Sequence, residues 1–149
     1  MANTYTQLYV MIIFAVKGRQ NVIQEKHEVE IHKYLASIVR THTQKLICLN
    51  GGKDHIHILA SIKPDIALSD LIRAIKSNSS KWINTKKWYL GKFHWQKGYA
   101  AFSYSYQQLD DLIFYIEHQK EHHQKISFQE EYIQLLKDFG IEYNDRYIF

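Results

Sequence analysis

The sequence predicts an α+β protein built on one antiparallel sheet, and three observations support this fold class. Apolar segments rich in β-branched and aromatic residues alternate with segments whose apolar residues recur at helical spacing. Their order is strand, helix, strand, strand, helix, strand, followed by two further helical segments. With 149 residues, one proline and six glycines, the chain is long enough to bury a core and contains no proline-rich linker.

The first half of the chain is predicted to form three strands and one helix. Residues 5–16 are apolar and β-rich, which indicates the first strand. Residues 45–49 indicate a short second strand, and the turn signal at residues 50–52 leads into residues 54–62, where aliphatic residues occupy every second position. The helix is predicted over residues 24–42, with an apolar stripe formed by Ile31, Tyr34, Leu35, Ile38 and Val39.

The second half is predicted to contain a helix over residues 68–83, a strand over residues 92–105 and two late helices. The late helices begin near Gln107 and after Ser127, where serines have capping-box spacing to Gln108 and Glu130. The last helix ends at Gly140, and the tail after it could pack or add a strand.

The order of the first six elements is the split βαβ of ferredoxin-like folds, an antiparallel sheet with two helices on one face. That core needs neither late helix, so we expect a separate requirement for them. We expect one domain over residues 1–149. Its core would span about 4–106, a helix about 107–124, and the C-terminal helix and tail about 127–149.

Composition limits where the protein acts and what it binds. Cys48 is the single cysteine, which excludes an intrachain disulfide and favours a reducing compartment. The apolar N-terminal run has no preceding basic residue and no small-residue cleavage site, and no apolar stretch approaches the ~20 residues needed to span a bilayer. We therefore expect a cytoplasmic protein. Its net charge of +4 and pI near 9.0 favour anionic partners.

The segment from Arg73 to Lys97, called the basic segment below, interleaves positive and aromatic side chains. No acidic residue occurs from Arg73 to Gln108. Bases stack on aromatic rings while lysine and arginine follow phosphates, so this mixture suits single-stranded nucleic acid. The alternative is a solvated basic face over core tryptophans. The candidate contacts are Arg73, Lys76, Lys81, Lys86, Lys87, Lys92, Trp88 and Trp95.

The most informative pair is His55 and His57, two positions apart on the third predicted strand. The aliphatic residues of this strand fit the side under the two helices, so both imidazoles should lie on the opposite, surface-facing side. Their Cα atoms would be ~6.5–7 Å apart, which lets two ring nitrogens converge on one ion. The alternative is a pair of half-exposed histidines without a ligand.

A tyrosine and a glutamine on a later helix could complete such a site. Tyr115 and Gln119 border the apolar stripe of the helix predicted over residues 107–123, and their i, i+4 spacing makes them neighbours. The amide oxygen of Gln119 could bind the ion. The phenol of Tyr115 could attack a phosphate, which a metal would assist because phenol has a pKa of ~10. The alternative is an interfacial tyrosine.

These residues resemble a known family, the HUH single-tyrosine transposases of single-strand insertion sequences (the insertion sequence two hundred-like transposases). The resemblance covers nearly the whole chain, with one departure: Met11 stands where family members are expected to carry histidine. It rests on five segments in order: YTQLYVMIIFAVKGR, GGKDHIHIL, LSDLIRAIKSNSSKWI, FHWQKGYAAFSYS and FYIEHQKEHH.

The resemblance implies that His55, His57 and Gln119 hold Mg²⁺ or Mn²⁺, and that Tyr115 attacks a DNA phosphate. The products would be a 5′-phosphotyrosine and a free 3′-OH, which can be rejoined without ATP. It further implies a homodimer, in which the tyrosine helix of one subunit can complete the other's site. The substrate would be single-stranded DNA with imperfect hairpins near the ends of a mobile element.

Three alternatives remain beside that interpretation. A domesticated repeat-associated relative would share the chemistry without moving an element, and hairpins flanking the gene would distinguish the two. A non-catalytic ferredoxin-like module would bind nucleic acid only. A two-histidine phosphodiesterase is disfavoured, because it requires two H-x-Ser/Thr motifs and this chain has one H-x-H pair.

Overall fold

The computed structural model describes residues 3–17 and 22–148. Its four strands form one antiparallel sheet in the order β2-β3-β1-β4, which confirms the predicted α+β, ferredoxin-like arrangement. Gly18 and Arg19, at the end of the first resemblance segment, lie outside the described residues. The strands are β1 (Tyr9–Ala15), β2 (Lys45–Gly51), β3 (His55–Ser61) and β4 (Ala100–Tyr104); the helices are α1 (Glu25–His42), α2 (Leu68–Lys86), α3 (Leu109–Glu117), α4 (Gln119–His122) and α5 (Phe128–Asp138).

The first face of the sheet packs against α1 and α2. Alternate residues of β3 point into this core, as the alternating sequence predicts: Ile56 and Ile58 are fully buried. Leu35 from α1 and Ile75 from α2 join the same cluster. Each such side chain contributes roughly 1.5–3 kcal/mol through burial, so this core fixes the register of β3 and with it the direction of the histidines.

The second face of the sheet is covered by α3 and α5, which explains the two late helices. The central strand β1 is apolar at every position, so its residues Met11 and Ile13 would otherwise expose an apolar face to water. Leu112 and Ile116 of α3 and Leu136 of α5 pack in the same cluster. Met11 is fully buried there, so its position has a packing role.

Strand β4 is shorter than predicted, because residues 92–99 leave the sheet except for one bridge between Val16 and Trp95. The side chain of Asn84 forms hydrogen bonds with the backbone of this segment, as a neighbouring strand would do. Its amide nitrogen donates to the carbonyl of Phe93 at 3.1 Å, and its oxygen accepts from the Phe93 N–H at 2.7 Å. The sequence reads as a strand here because Phe93 and Trp95 alternate, but both side chains enter the α2 core.

The C-terminal tail adds no strand to the described part of the sheet; residues 141–147 are exposed, and Ile148 packs against the second-face core. The tail contains a single 3₁₀ turn at Asp145–Tyr147, capped by the Asn144 side chain. Among the described residues, no helix combines the length and the apolar character that crossing a membrane requires.

Candidate active site

The histidine pair lies on the second face of the sheet, opposite α1 and α2, as the alternation predicts. The expectation that it faces the surface is wrong, because His55 and His57 are only 1% and 0% exposed. The C-terminal segment covers them. Phe128, the first residue of α5, stacks on the His55 ring with centroids 4.1 Å apart.

The helix that carries the tyrosine is interrupted, where the sequence predicts one continuous helix. It ends at Glu117, His118 leaves helical geometry (φ −105°, ψ 29°), and α4 begins at Gln119. The interruption frees backbone carbonyls, which need other partners. The amide of Asn50 on β2 donates to the carbonyls of Ile116 and Glu117 at 2.9 and 3.3 Å. This clamp fixes the end of α3 over the sheet.

The interruption turns the side chain of Gln119 into the site, where it is fully buried. Its Oε1 atom lies 3.0 Å from Nε2 of His55 and 2.9 Å from Nε2 of His123. Its Nε2 atom donates to Glu131 Oε2 at 3.2 Å, which fixes the orientation of the amide. The structure therefore brings Gln119 to the histidine pair, although not on the continuous helix that the i, i+4 argument assumes.

Glu131 of α5 lies at the centre of the site. It is 3% exposed, and its Oε1 atom is 3.1 Å from Nε2 of His57 and 3.3 Å from Nε2 of His123. Its Oε2 atom accepts a hydrogen bond from the phenol of Tyr115. Burial opposes ionisation of Glu131, but its hydrogen bonds with His123 and His57 outweigh burial and hold its pKa well below the usual range.

Tyr115 reaches the site from α3, and its ring meets the His57 ring edge-on at 5.9 Å. Burial, followed by the negative charge of Glu131, raises the pKa of Tyr115 well above its ordinary value. The phenol is therefore protonated and hydrogen-bonded to Glu131 in this conformation. It becomes a better nucleophile only when positive charge replaces the negative charge of Glu131 beside it.

Hydrogen bonds outside the site orient two of the imidazoles. Nδ1 of His55 lies 2.8 Å from Asp54 Oδ1, and Nδ1 of His123 lies 2.8 Å from the carbonyl of Ile126. Both partners only accept, so both Nδ1 atoms carry the proton and both rings direct Nε2 into the site. Burial lowers the pKa of His57 to about 4, so this ring is neutral near pH 7 and suited to a metal.

Four side chains offer ligand atoms within 4.8 Å of one another: His55, His57, His123 and Glu131. The set fits a divalent cation, because carboxylate and imidazole are metal donors and the amide oxygen of Gln119 joins them. Sequence reasoning missed His123 and Glu131. A signal for Glu131 existed: it is a carboxylate on the face of α5 that also buries Phe128 and Leu136.

The basic segment is placed on the other side of the sheet from the site, because α2 packs on the first face. Lys81, Lys86, Lys87 and Lys92 are exposed there. Lys86 lies 3.3 Å from Glu30. Arg73 is exposed and pairs with Asp70 at 2.9 Å.

Three candidate DNA contacts have packing partners instead. Trp95 is 8% exposed and donates to Ser79 at 2.8 Å, which corrects the prediction that it stacks on bases. Trp88 is half-buried and stacks on His27 at 3.8 Å, so one face of its ring is covered. Lys76 donates to the carbonyls of Gln96 and Gly98, and burial lowers its pKa to about 8. Lys76 thus holds the loop before β4.

A cavity of about 1170 Å³ opens beside the histidine pair. Asp54 and Phe128, which contact His55, form part of its wall. Three lysines also line it, Lys17, Lys53 and Lys97, and all three are exposed. An anionic chain lying in this cavity would pass next to the buried site.

The fold and the site together define a ferredoxin-like domain in which a histidine pair faces a tyrosine-bearing helix. Over residues 4–119 the sequence matches the model of a family described as "Transposase IS200 like". The chain belongs to this family of IS200-like transposases. The match includes His55, His57, Tyr115 and Gln119, and it ends before His123 and Glu131.

Two solved structures are similar in fold. One is a candidate transposase from Deinococcus radiodurans R1, with a TM-score of 0.63 and 21% identity, covering 80% of this chain and 95% of that one. The other is a REP-associated tyrosine transposase bound to a REP hairpin, with a TM-score of 0.59 and 12% identity, covering 83% of this chain and 73% of that one. A search among curated proteins gave no match.

Proposed function

We propose that this transposase cuts and rejoins single-stranded DNA through a covalent link to Tyr115, assisted by Mg²⁺ or Mn²⁺ held by His55, His57 and Gln119. One observation carries the proposal. The phenol of Tyr115 and the Nε2 atom of His57 both contact the carboxylate of Glu131, and a ligand atom of His55 lies within 4.8 Å of it. An anion is thus held between the nucleophile and the ligands, where a scissile phosphate needs to lie.

The reaction exchanges one phosphoester for another. Tyr115 Oη forms a bond to phosphorus, the bond from phosphorus to the 3′ oxygen breaks, and that oxygen keeps the electron pair. The phenol loses its proton, and the 3′ oxygen gains one to become a free 3′-OH. A bound divalent ion would polarise the phosphate and stabilise the phenolate. The 5′-phosphotyrosine keeps the energy of the phosphodiester, so a second 3′-OH can reverse the step.

The arrangement of the chain supports single strands as the substrate. His55, His57 and Gln119 are almost fully buried and Tyr115 is half-buried, which favours an unpaired strand over a duplex, and one strand could enter along the lysine-lined cavity. One of the structural neighbours is described as bound to a REP hairpin. We propose that this chain also binds a hairpin, and that exposed lysines around α2 contact it. The resemblance further implies a homodimer, although each chain carries a full set of ligands.

A hairpin-bearing single-stranded oligonucleotide tests this function directly. We expect cleavage in Mg²⁺ or Mn²⁺ to give a free 3′-OH fragment and a protein-linked 5′ fragment, seen as a slower band on a denaturing gel. EDTA should abolish both products, because the ligands cannot replace the charge of the ion. The same sequence in a full duplex should remain uncut. Cleavage that persists in EDTA would contradict the metal assignment.

Two pairs of lysines should contribute differently to DNA binding. The double variant Lys53→Ala/Lys97→Ala should weaken binding of both a linear strand and a hairpin oligonucleotide, because the cavity holds the single strand. The double variant Lys81→Ala/Lys87→Ala should weaken binding of the hairpin only. Each lost phosphate contact reduces the slope of log K against log salt by about 1. Fluorescence anisotropy across a salt series measures both effects, and unchanged slopes would exclude these lysines.

A further inference from the structure

Two side chains of the C-terminal segment enter the site, although the family resemblance assigns them no role. His123 follows α4, and Glu131 lies one turn into α5. Their ligand atoms lie within 4.8 Å of those of His55 and His57. Donors that bind one ion at ~2.0–2.2 Å are themselves separated by about 3 Å. The separations from Glu131 Oε1 to His57 and His123 are 3.1 and 3.3 Å.

The Nε2 atoms of two imidazoles point toward the same oxygen atom. Asp54 and the Ile126 carbonyl accept from Nδ1 of His55 and His123, so each ring directs Nε2 into the site. Both Nε2 atoms face the amide oxygen of Gln119, at 3.0 and 2.9 Å. In neutral rings these contacts would join acceptors to acceptors, and a cation among them would satisfy both rings at once.

Burial lowers the pKa of His123, but its hydrogen bond to Glu131 and the charge of that carboxylate outweigh burial and raise it, so one protonated ring can satisfy part of these contacts. The packing disfavours a second protonated ring. The His55 ring centroid is 5.2 Å from that of His57 and 4.6 Å from that of His123, so several positive rings would repel one another. Nδ1 of His57 is also buried without a hydrogen-bond partner among the described residues, which would leave a charged N–H unsatisfied.

We propose that His123 and Glu131 are metal ligands in the DNA-free protein, that they complete a shell of three imidazoles and one carboxylate, and that this shell selects a transition-metal ion over Mg²⁺. Imidazole is a poor donor for Mg²⁺, which prefers oxygen, whereas Zn²⁺ and Mn²⁺ accept both nitrogen and oxygen. What this ligand set means for DNA cleavage rests on the proposed function. With the amide oxygen of Gln119 as a further donor, these protein ligands leave little room, so the scissile phosphate must displace the Glu131 carboxylate to reach the ion and Tyr115.

Metal binding to the full chain tests the proposal without measuring activity. Co²⁺ serves as the probe, because nitrogen-rich coordination gives it a visible absorption band. We expect one Co²⁺ per chain, displaced by Zn²⁺ but not by millimolar Mg²⁺. Glu131→Gln and His123→Ala should each weaken Co²⁺ binding by at least about tenfold. The control is His42→Ala, at the end of α1 on the other face of the sheet, whose Nδ1 contacts the carbonyl of Ile38 within its own helix and which should leave Co²⁺ affinity unchanged.

Two results would overturn the inference: unchanged Co²⁺ affinity in both ligand variants, or Mg²⁺ competing as well as Zn²⁺. Because Glu131 is buried, near-UV circular dichroism must confirm that Glu131→Gln is folded. His123 is half-buried, so His123→Ala carries the test if the first variant unfolds. Hairpin cleavage separates this inference from the function. Unchanged Co²⁺ affinity in both variants, with intact Tyr115-dependent cleavage, rejects only the ligand proposal. Weakened Co²⁺ affinity in the variants, together with a wild-type protein that never cleaves the hairpin, rejects only the function.

Discussion

Replacing Tyr115 with phenylalanine should abolish cleavage of a hairpin-bearing single-stranded oligonucleotide while leaving its binding intact. The substitution removes only the attacking oxygen, and the ring stays against His57. Loss of a nucleophile reduces the rate to the background of the assay, at least about 10³-fold. Denaturing gels measure cleavage, and fluorescence anisotropy measures binding. Wild-type cleavage by Tyr115→Phe would exclude Tyr115 as the nucleophile.

The matched control for this substitution is Tyr132→Phe. Tyr132 is also half-buried beside the second-face core, and burial raises its pKa as it does for Tyr115. It follows Glu131 directly on α5, so general disturbance of the site would affect both variants. We expect cleavage by Tyr132→Phe to match the wild type. Equal losses in both variants would indicate a structural effect of removing either phenol.

Replacing either histidine of the pair with alanine should remove metal-dependent cleavage. Each imidazole directs its Nε2 atom into the site, toward Gln119 from His55 and toward Glu131 from His57. We expect His55→Ala and His57→Ala to lower both the cleavage rate and the affinity for Mn²⁺ by at least about 10–100-fold. Isothermal titration with Mn²⁺ measures the binding loss separately from the chemistry.

The control for the pair is His42→Ala, at the end of α1 on the other face of the sheet. Its Nδ1 contacts the carbonyl of Ile38 within its own helix. This variant should bind Mn²⁺ and cleave DNA as the wild type does. Full Mn²⁺ affinity in both His55→Ala and His57→Ala would contradict the proposed metal site.

The sequence allowed the sheet and half of the site to be predicted, because both follow from local periodicity. Alternation along residues 54–62 places His55 and His57 on one face of β3, since the apolar face must enter the α1–α2 core. Helical spacing places Gln119 one turn after Tyr115. Neither argument requires knowledge of which segments meet in space.

The rest of the site depends on tertiary contacts that local patterns do not contain. The interruption at His118 is held by Asn50, 66 residues from Ile116 in sequence. The burial of the histidine pair depends on α5 docking through Phe128, and Glu131 becomes a site residue only in that position. A periodic pattern identifies the covered face of α5, but it does not identify what that face covers.

Mass spectrometry of the covalent protein–DNA complex tests the central claim most directly. Wild-type protein is incubated with a hairpin-bearing single strand and Mn²⁺, and the trapped complex is digested with nuclease and protease. We predict that the peptide containing Tyr115 carries the 5′-phosphorylated nucleotide on its phenol oxygen, and that EDTA prevents this adduct. An adduct on another residue such as Tyr104 or Tyr132, or cleavage without any protein adduct, would contradict the proposed mechanism.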